Sequence, residues 1–292
     1  MLTSDSLRGL YVPVVTPFLS SGELDRPSFR RCLLELIRHG IHGIVIGGTT
    51  GESPSLSWQE VEKLYEWTKQ LLSEEHSPLP VILGTGTNDT ASTVLRTKQA
   101  HSLGADAVLV VVPYYNRPSP AGIVEHYGQA AQVGVPVIAY NIPYRTGVAL
   151  STDTLSRILK IPNVIGLKDS SGGIKQLIEL SQITNKPILC GEDFYLYAAL
   201  CCGAQGGILA SSSLHTNRFV LVYELIQAGR WKEAKAAFDP LIPLIELLYR
   251  EPNPAPIKWL LEHKGIIESG ALRLPMTPIS EELQIELLKL SL

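Results

Sequence analysis

Eight short apolar runs recur between Leu10 and Leu209, and the segments between most of them switch to helix-like patterning. The runs are Leu10–Val15, Gly43–Ile46, Pro80–Leu83, Ala107–Val112, Val135–Tyr140, Asn163–Lys168, Pro187–Cys190 and Gly206–Leu209. They are continuous Val/Ile/Leu stretches, not alternating ones. That is the pattern of strands covered on both faces in a parallel sheet. Helix signals punctuate the intervals. Pro27 opens one helix that Gly40 ends, and Ser57 followed by Glu60 forms a capping box for a second. Further helices are predicted over Asn88–Leu103, Ser119–Gln132 and Ser151–Leu159. Eight β-then-α units predict a (β/α)8 TIM barrel over residues 1–229. A doubly wound sheet is the competing arrangement, but no GxGxxG follows the first run. Beyond Arg230 the strand signal stops. Trp231–Tyr249, Pro256–Lys264 and Ser280–Leu290 then read as helices, giving a C-terminal helical appendage over 230–292.

Composition narrows the class. The 292 residues are 45% hydrophobic and 18% charged, with a mean hydropathy of +0.13. That is more apolar surface than a monomer of this size needs, so part is expected to lie between subunits. A net charge of −3 gives no basic footprint for nucleic acid. No apolar run reaches the ~18 residues of a membrane span. Met1–Leu7 lacks a basic stretch followed by an apolar one, so no secretory leader is read there and the cytoplasm is expected. The four cysteines form no CxxC, and the expectation is buried free thiols in a reducing compartment. Seven scattered histidines with no HExxH predict no metal.

A barrel builds its site from the carboxyl ends of its strands. There the second run delivers Thr49 and Thr50 within Gly47–Gly51, and the fourth delivers Pro113-Tyr114-Tyr115-Asn116-Arg117-Pro118. The fifth delivers Tyr140-Asn141-Ile142-Pro143-Tyr144-Arg145-Thr146-Gly147, and the sixth Lys168. Each has a plain structural reading: a strand-end charge for Lys168, a tight turn for Thr49 and Thr50, a surface aromatic for Tyr115, a core phenol for Tyr140, a solvated charge for Arg145. Each also has a chemical one. A desolvated amine falls below its reference pKa of ~10.4 and becomes a nucleophile toward ketones. Phenol and hydroxyl groups carry protons, and a guanidinium binds a carboxylate. Gly203–Gly207 with Ser211–Ser213 has the position of a barrel phosphate site, but close strand packing accounts for it better.

The motifs Gly47–Ser53, Pro113–Pro118, Tyr140–Gly147, Gly166–Asp169, Asn253–Trp259 and Leu272–Pro278 resemble the dihydrodipicolinate synthase branch of the pyruvate-dependent class I aldolases. The resemblance spans nearly the whole chain, and Arg145 separates this branch from its sister keto-acid aldolases. It implies that Lys168 forms an imine with pyruvate, without metal or organic cofactor. It further implies that the derived enamine attacks aspartate semialdehyde to give 4-hydroxy-tetrahydrodipicolinate, toward diaminopimelate and lysine. Tyr140, Thr49 and Tyr115 correspond to a proton relay, with Tyr115 reaching in from a neighbouring subunit of a homotetramer. Thr50 corresponds to the pyruvate-carboxylate site and Arg145 to the semialdehyde-carboxylate site, while Gly191 and Ile208 line the pocket. Two alternatives accompany this reading: a sister 2-keto acid lyase, and a non-catalytic ligand-binding barrel. The chain departs from the common bacterial pattern at Asp169-Ser170-Ser171 and at Tyr144. It also departs at the lysine-effector positions, where Trp58, Val61 and Ser92 stand, so weak or absent feedback by lysine is expected.

Overall fold

A computed structural model describes residues 1–290. Eight strands close into a barrel in chain order. They are β1 (Gly9–Pro13), β2 (Gly43–Ile46), β3 (Val81–Gly84), β4 (Ala107–Val111), β5 (Val137–Asn141), β6 (Val164–Asp169), β7 (Ile188–Cys190) and β8 (Gly206–Ile208). The fold is the (β/α)8 barrel with C-terminal helices that the alternation predicts. Every residue of β1, β2, β5, β6, β7 and β8 is buried, which is why the runs carry no polar alternation. β5 and β6 pair in parallel with Tyr140 opposite Lys168 and Asn141 opposite Asp169. That register sets two neighbouring strand ends side by side and puts their chemistry on the same level.

The helices begin where side chains can cap them. Asp25, Asp89, Ser119, Ser151 and Ser280 each accept a backbone N–H of the first turn. Ser57 and Glu60 complete the capping box before Trp58–Glu74. Each such cap stabilises its helix by ~1 kcal/mol. Two compact units organise the chain. One comprises Met1–Tyr11 and Pro80–Ile208, the other Val12–Leu79 and the residues from Leu209 onward. In the first, β3 to β8 carry the helices Thr90–Leu103, Pro120–Ala131, Thr152–Leu159 and Lys175–Ser181. In the second, Arg26–Arg38 and Trp58–Glu74 precede five later helices, among them Thr216–Gln227 and Ala255–His263.

The structure departs from expectation most clearly at one strand end, one helix and the cysteines. The first strand ends at Pro13. The segment read as one helix over Trp231–Tyr249 is two, Trp231–Phe238 and Ile242–Leu248, joined by the 3-10 turn Asp239–Leu241. Pro240 and Pro243 stand at the break, and neither can donate to the preceding turn. All four cysteines are free as expected, but only Cys32 and Cys190 are buried, and Cys201 is exposed. Among the described residues no helix is long and apolar enough to cross a membrane.

Candidate active site

The site is built outward from Lys168. The alternation of β6 buries it to 7% exposure, with its ammonium 4.1 Å from the ring centroid of Tyr140 on the adjoining strand. Burial drives its pKa from 10.5 down to about 8, against the opposing pull of the acidic groups Asp193, Tyr144 and Glu192. Removing an ammonium from water disfavours its charged form. At pH 7 about a tenth of such an amine is neutral, against roughly three in ten thousand at the unshifted value. The lysine stem needs a glycine beside it. A Cβ on Gly191 would lie 2.9 Å from Lys168 Cε and 2.2 Å from Ser170 Oγ. Gly191 also donates its N–H to Asp169 O at 2.8 Å, which ties the end of β7 to that of β6.

Behind the lysine, Asp169 lies on the opposite side of the strand and organises a buried polar network. Its carboxylate accepts from Asn141 Nδ2 at 2.9 Å and from Ser171 Oγ at 2.8 Å. Asn141 Nδ2 also donates to Gln176 Oε1 at 3.0 Å, and Gln176 Nε2 donates to Leu150 O. Burial pushes the Asp169 carboxyl up, while the bonds from Ser171 and Asn141 hold it down. The network pins the ends of β5 and β6 together just outside the Lys168–Tyr140 pair.

The loop after β5 forms a single helical turn, Pro143–Thr146, closed by Gly147 in the left-handed region. It presents Arg145 and Tyr144 to solvent. The guanidinium lies 5.4 Å from the Tyr144 ring centroid and donates from Nε to its hydroxyl at 3.3 Å. After β7 come Glu192 and Asp193. Burial, and then the charge of Asp193, push the Glu192 carboxyl up to about 7, while Lys168 and Arg145 draw it down. Lys168 and Arg145 therefore share one electrostatic environment with two carboxyls that the sequence reading passed over. Their place directly after the carboxyl end of a strand was the signal that could have found them.

Tyr115 stands apart from this cluster. It is 88% exposed and holds φ +70°, with Arg117 of the same loop at φ +46°. Asn116 anchors the loop by donating from Nδ2 to Asn88 O at 2.9 Å. Ile208 is fully buried at the end of β8, opposite Tyr11.

In the second unit, Thr49 and Thr50 lie in the turn after β2. The N–H groups of Gly51, Glu52 and Ser53 bond within the turn, to Gly48 O, Thr49 O and Gly48 O. Those of Thr49 and Thr50 find no acceptor among the described residues. Thr50 is 3% exposed, and its hydroxyl accepts from Asn253 Nδ2 at 3.1 Å. Two adjacent amides and a hydroxyl with its own proton available make a receptor for an anion. Asn253 is a third residue that the sequence reading left out of the site.

A family profile described as the dihydrodipicolinate synthetase family matches residues 6–291. The chain belongs to that family. Within the dihydrodipicolinate synthetase family, the 4-hydroxy-tetrahydrodipicolinate synthase of Syntrophus aciditrophicus is 39% identical over 277 residues, covering 94% of each chain. The crystal structure of dihydrodipicolinate synthase from Thermotoga maritima superposes with a TM-score of 0.93 at 34% identity, covering 97% of both chains. The chloride-inhibited synthase of Acinetobacter baumannii complexed with pyruvate gives 0.92 at 35% identity, covering 96% of both.

Proposed function

We propose that this chain condenses pyruvate with L-aspartate 4-semialdehyde to give 4-hydroxy-tetrahydrodipicolinate, as a lyase of diaminopimelate and lysine biosynthesis. The observation that carries the reading is a buried lysine, its pKa brought to about 8, against the ring of Tyr140. The neutral amine of Lys168 attacks C2 of pyruvate. Water leaves and an imine remains, so the reaction needs no separate cofactor. The imine withdraws electrons, a methyl proton departs, and an enamine forms. The enamine carbon bonds to the aldehyde carbon of the semialdehyde, and the aldehyde oxygen takes up a proton. The substrate's amine then attacks the imine carbon, closes the ring and releases Lys168. One water is lost overall.

Tyr140, Thr49 and Tyr115 serve as the proton relay in this proposal, because a phenol of reference pKa ~10 shuttles protons near neutrality only within a hydrogen-bonded chain. Thr50 and the turn amides receive the pyruvate carboxylate. Arg145 receives the semialdehyde carboxylate with a two-pronged donor, and Gly191 and Ile208 line the pocket. The exposure and positive φ of Tyr115 support its acting across an interface. A tyrosine so exposed on its own chain is placed to meet a neighbouring subunit, and the working assembly in this proposal is a homotetramer built from two such dimers. We place the protein in the cytoplasm, in line with its four free thiols.

The test is borohydride trapping with pyruvate, followed by mass spectrometry of the peptides. A pyruvate adduct on the Lys168 peptide, lost in Lys168→Ala, is expected. A folded protein that traps no pyruvate would exclude the mechanism. Turnover of aspartate semialdehyde, compared with other aldehydes and with Arg145→Ala, then decides the second substrate.

A further inference from the structure

The turn that carries Thr49 and Thr50 does not hold its own shape. Glu52, two residues on from Thr50, sits in the left-handed region at φ 56°, ψ 40°, a conformation that costs a non-glycine residue ~1–2 kcal/mol. Its side chain is buried to 3% exposure. The Glu52 carboxylate meets Lys258 Nζ at 2.8 Å through Oε1, and accepts the Arg273 backbone N–H at 3.2 Å through Oε2. Lys258 is itself fully buried. Its remaining protons go to Thr16 O at 2.9 Å and to Ala271 O. Thr16 in turn donates from Oγ1 to Gly51 O at 2.7 Å. Both cations lie against the Phe18 ring, Lys258 Nζ at 4.4 Å and Arg273 Cζ at 4.3 Å from its centroid. The Arg273 guanidinium donates to Ser55 O, just beyond the turn, and grips Glu60, the capping-box residue of the next helix, at 2.5 and 2.9 Å. Asn253, from the same C-terminal segment, bonds to Thr50 itself.

A buried ion pair is a poor device for stability. The desolvation penalty consumes most of the attraction, and apolar residues of similar volume do as well or better. It is a good device for fixing a geometry, because breaking one partner is costly. Here the contacts to Thr50, Gly51, Glu52 and Ser55 converge on one turn and its immediate exit.

We propose that Lys258, Glu52 and Arg273, with Asn253, are positioning residues that preset the Thr49–Thr50 turn to receive the carboxylate of pyruvate. This rests on the reading of that turn as the pyruvate site. The C-terminal segment is then part of substrate recognition, and Asn253 aligns the Thr50 hydroxyl. Because its oxygen accepts from the amide, its proton is left to donate to the anion.

The experiment compares wild type with Glu52→Gln/Lys258→Met and Asn253→Ala. The double variant removes both charges together, so neither is left buried alone. Melting temperature, kcat, KM for each substrate and the pyruvate concentration that half-saturates borohydride trapping are measured. The double variant is expected to raise KM and half-saturation for pyruvate on the order of tenfold. Asn253→Ala is expected to raise them about fivefold, the equivalent of one neutral hydrogen bond. In both, kcat at saturation and KM for the semialdehyde stay close to wild type. Folded variants with unchanged pyruvate half-saturation would overturn the proposal, and so would a parallel loss in both KM values and kcat. If the double variant does not fold, Asn253→Ala decides on the same criteria. Thr50→Val separates the two levels. If it leaves pyruvate half-saturation unchanged, the turn is not the pyruvate site and both readings fall. If it raises half-saturation while the positioning variants do not, only the present proposal falls.

Discussion

Replacing Gly191 with alanine puts a methyl group where the Lys168 stem passes. The added Cβ would lie 2.9 Å from Lys168 Cε, 2.2 Å from Ser170 Oγ and 3.0 Å from Asp169 O. Non-bonded carbons settle at ~3.5–4.0 Å, so the lysine stem must retreat by roughly 0.6–1 Å and Ser170 must also turn. Overpacking of this kind costs ~1–3 kcal/mol, enough to lower the melting temperature by a few degrees. The functional cost is larger, because misplacing a reacting group by ~1 Å lowers rates by on the order of 10²-fold. The assay is a time course of borohydride-trapped pyruvate on the Lys168 peptide, with melting measured in parallel. Gly128→Ala is the control. Gly128 lies within the helix Pro120–Ala131 and an added Cβ meets no atom within 4 Å, so it should stabilise by ~0.5–1 kcal/mol and trap pyruvate at the wild-type rate. If Gly191→Ala traps pyruvate as fast as wild type while folded, the contact between Gly191 and the lysine stem does not govern the amine's position.

Three further outcomes are expected. Imine formation should accelerate about tenfold per pH unit below neutrality and level off above pH 8, because the neutral amine reacts and Lys168 titrates at about 8; a plateau only above pH 10 would show that burial does not act on it. Acid should destabilise the fold through His126, which is 3% exposed with Nδ1 against Thr90 Oγ1 at 3.0 Å. Burial lowers its pKa from 6.5 to about 4, so the unfolded chain binds the proton first and stability drops by ~3 kcal/mol as pH falls from 6.5 to 4. The urea midpoint of His126→Gln should lack that share of the pH dependence, and an identical acid slope in the two proteins would refute it. Finally, sub-millimolar lysine should leave the initial rate unchanged, because Ser92 serves helix capping through its N–H to Asp89 Oδ2 at 2.7 Å and offers no carboxylate to an effector's ammonium; a steady-state titration showing inhibition in that range would end the idea.

The barrel was legible because strands buried on both faces leave continuous Val, Ile and Leu runs, and a parallel arrangement needs a crossover between each pair. The start of Trp58–Glu74 was legible for a local reason, since the capping box is written within four residues. The break at Pro240 and Pro243 was written just as locally, although the segment reads as one helix in the sequence. Lys168 could be singled out by its place at a strand end, but the fall of its pKa could not, because burial is a property of the closed fold. Glu192 shows the same limit from the acidic side: two carboxyls after β7 look like a hydrated turn until burial pushes one of them up to about 7. Glu52 and Lys258 lie 206 positions apart, and no periodicity or spacing rule connects residues at that distance.

Chain order has a consequence for how this protein comes off the ribosome. The turn at Gly47–Ser53 is made early, yet Asn253, Lys258 and Arg273 emerge only near the end of synthesis. Until then the Glu52 carboxylate has no cation to follow it out of water, and a lone buried charge of that kind is prohibitively costly. The nascent chain must therefore keep that segment hydrated while Pro80–Ile208 is already available to pack around the lysine. The Thr49–Thr50 turn is thus the last part to mature, and a product released before Lys258 carries Lys168 without the contacts that shape that turn.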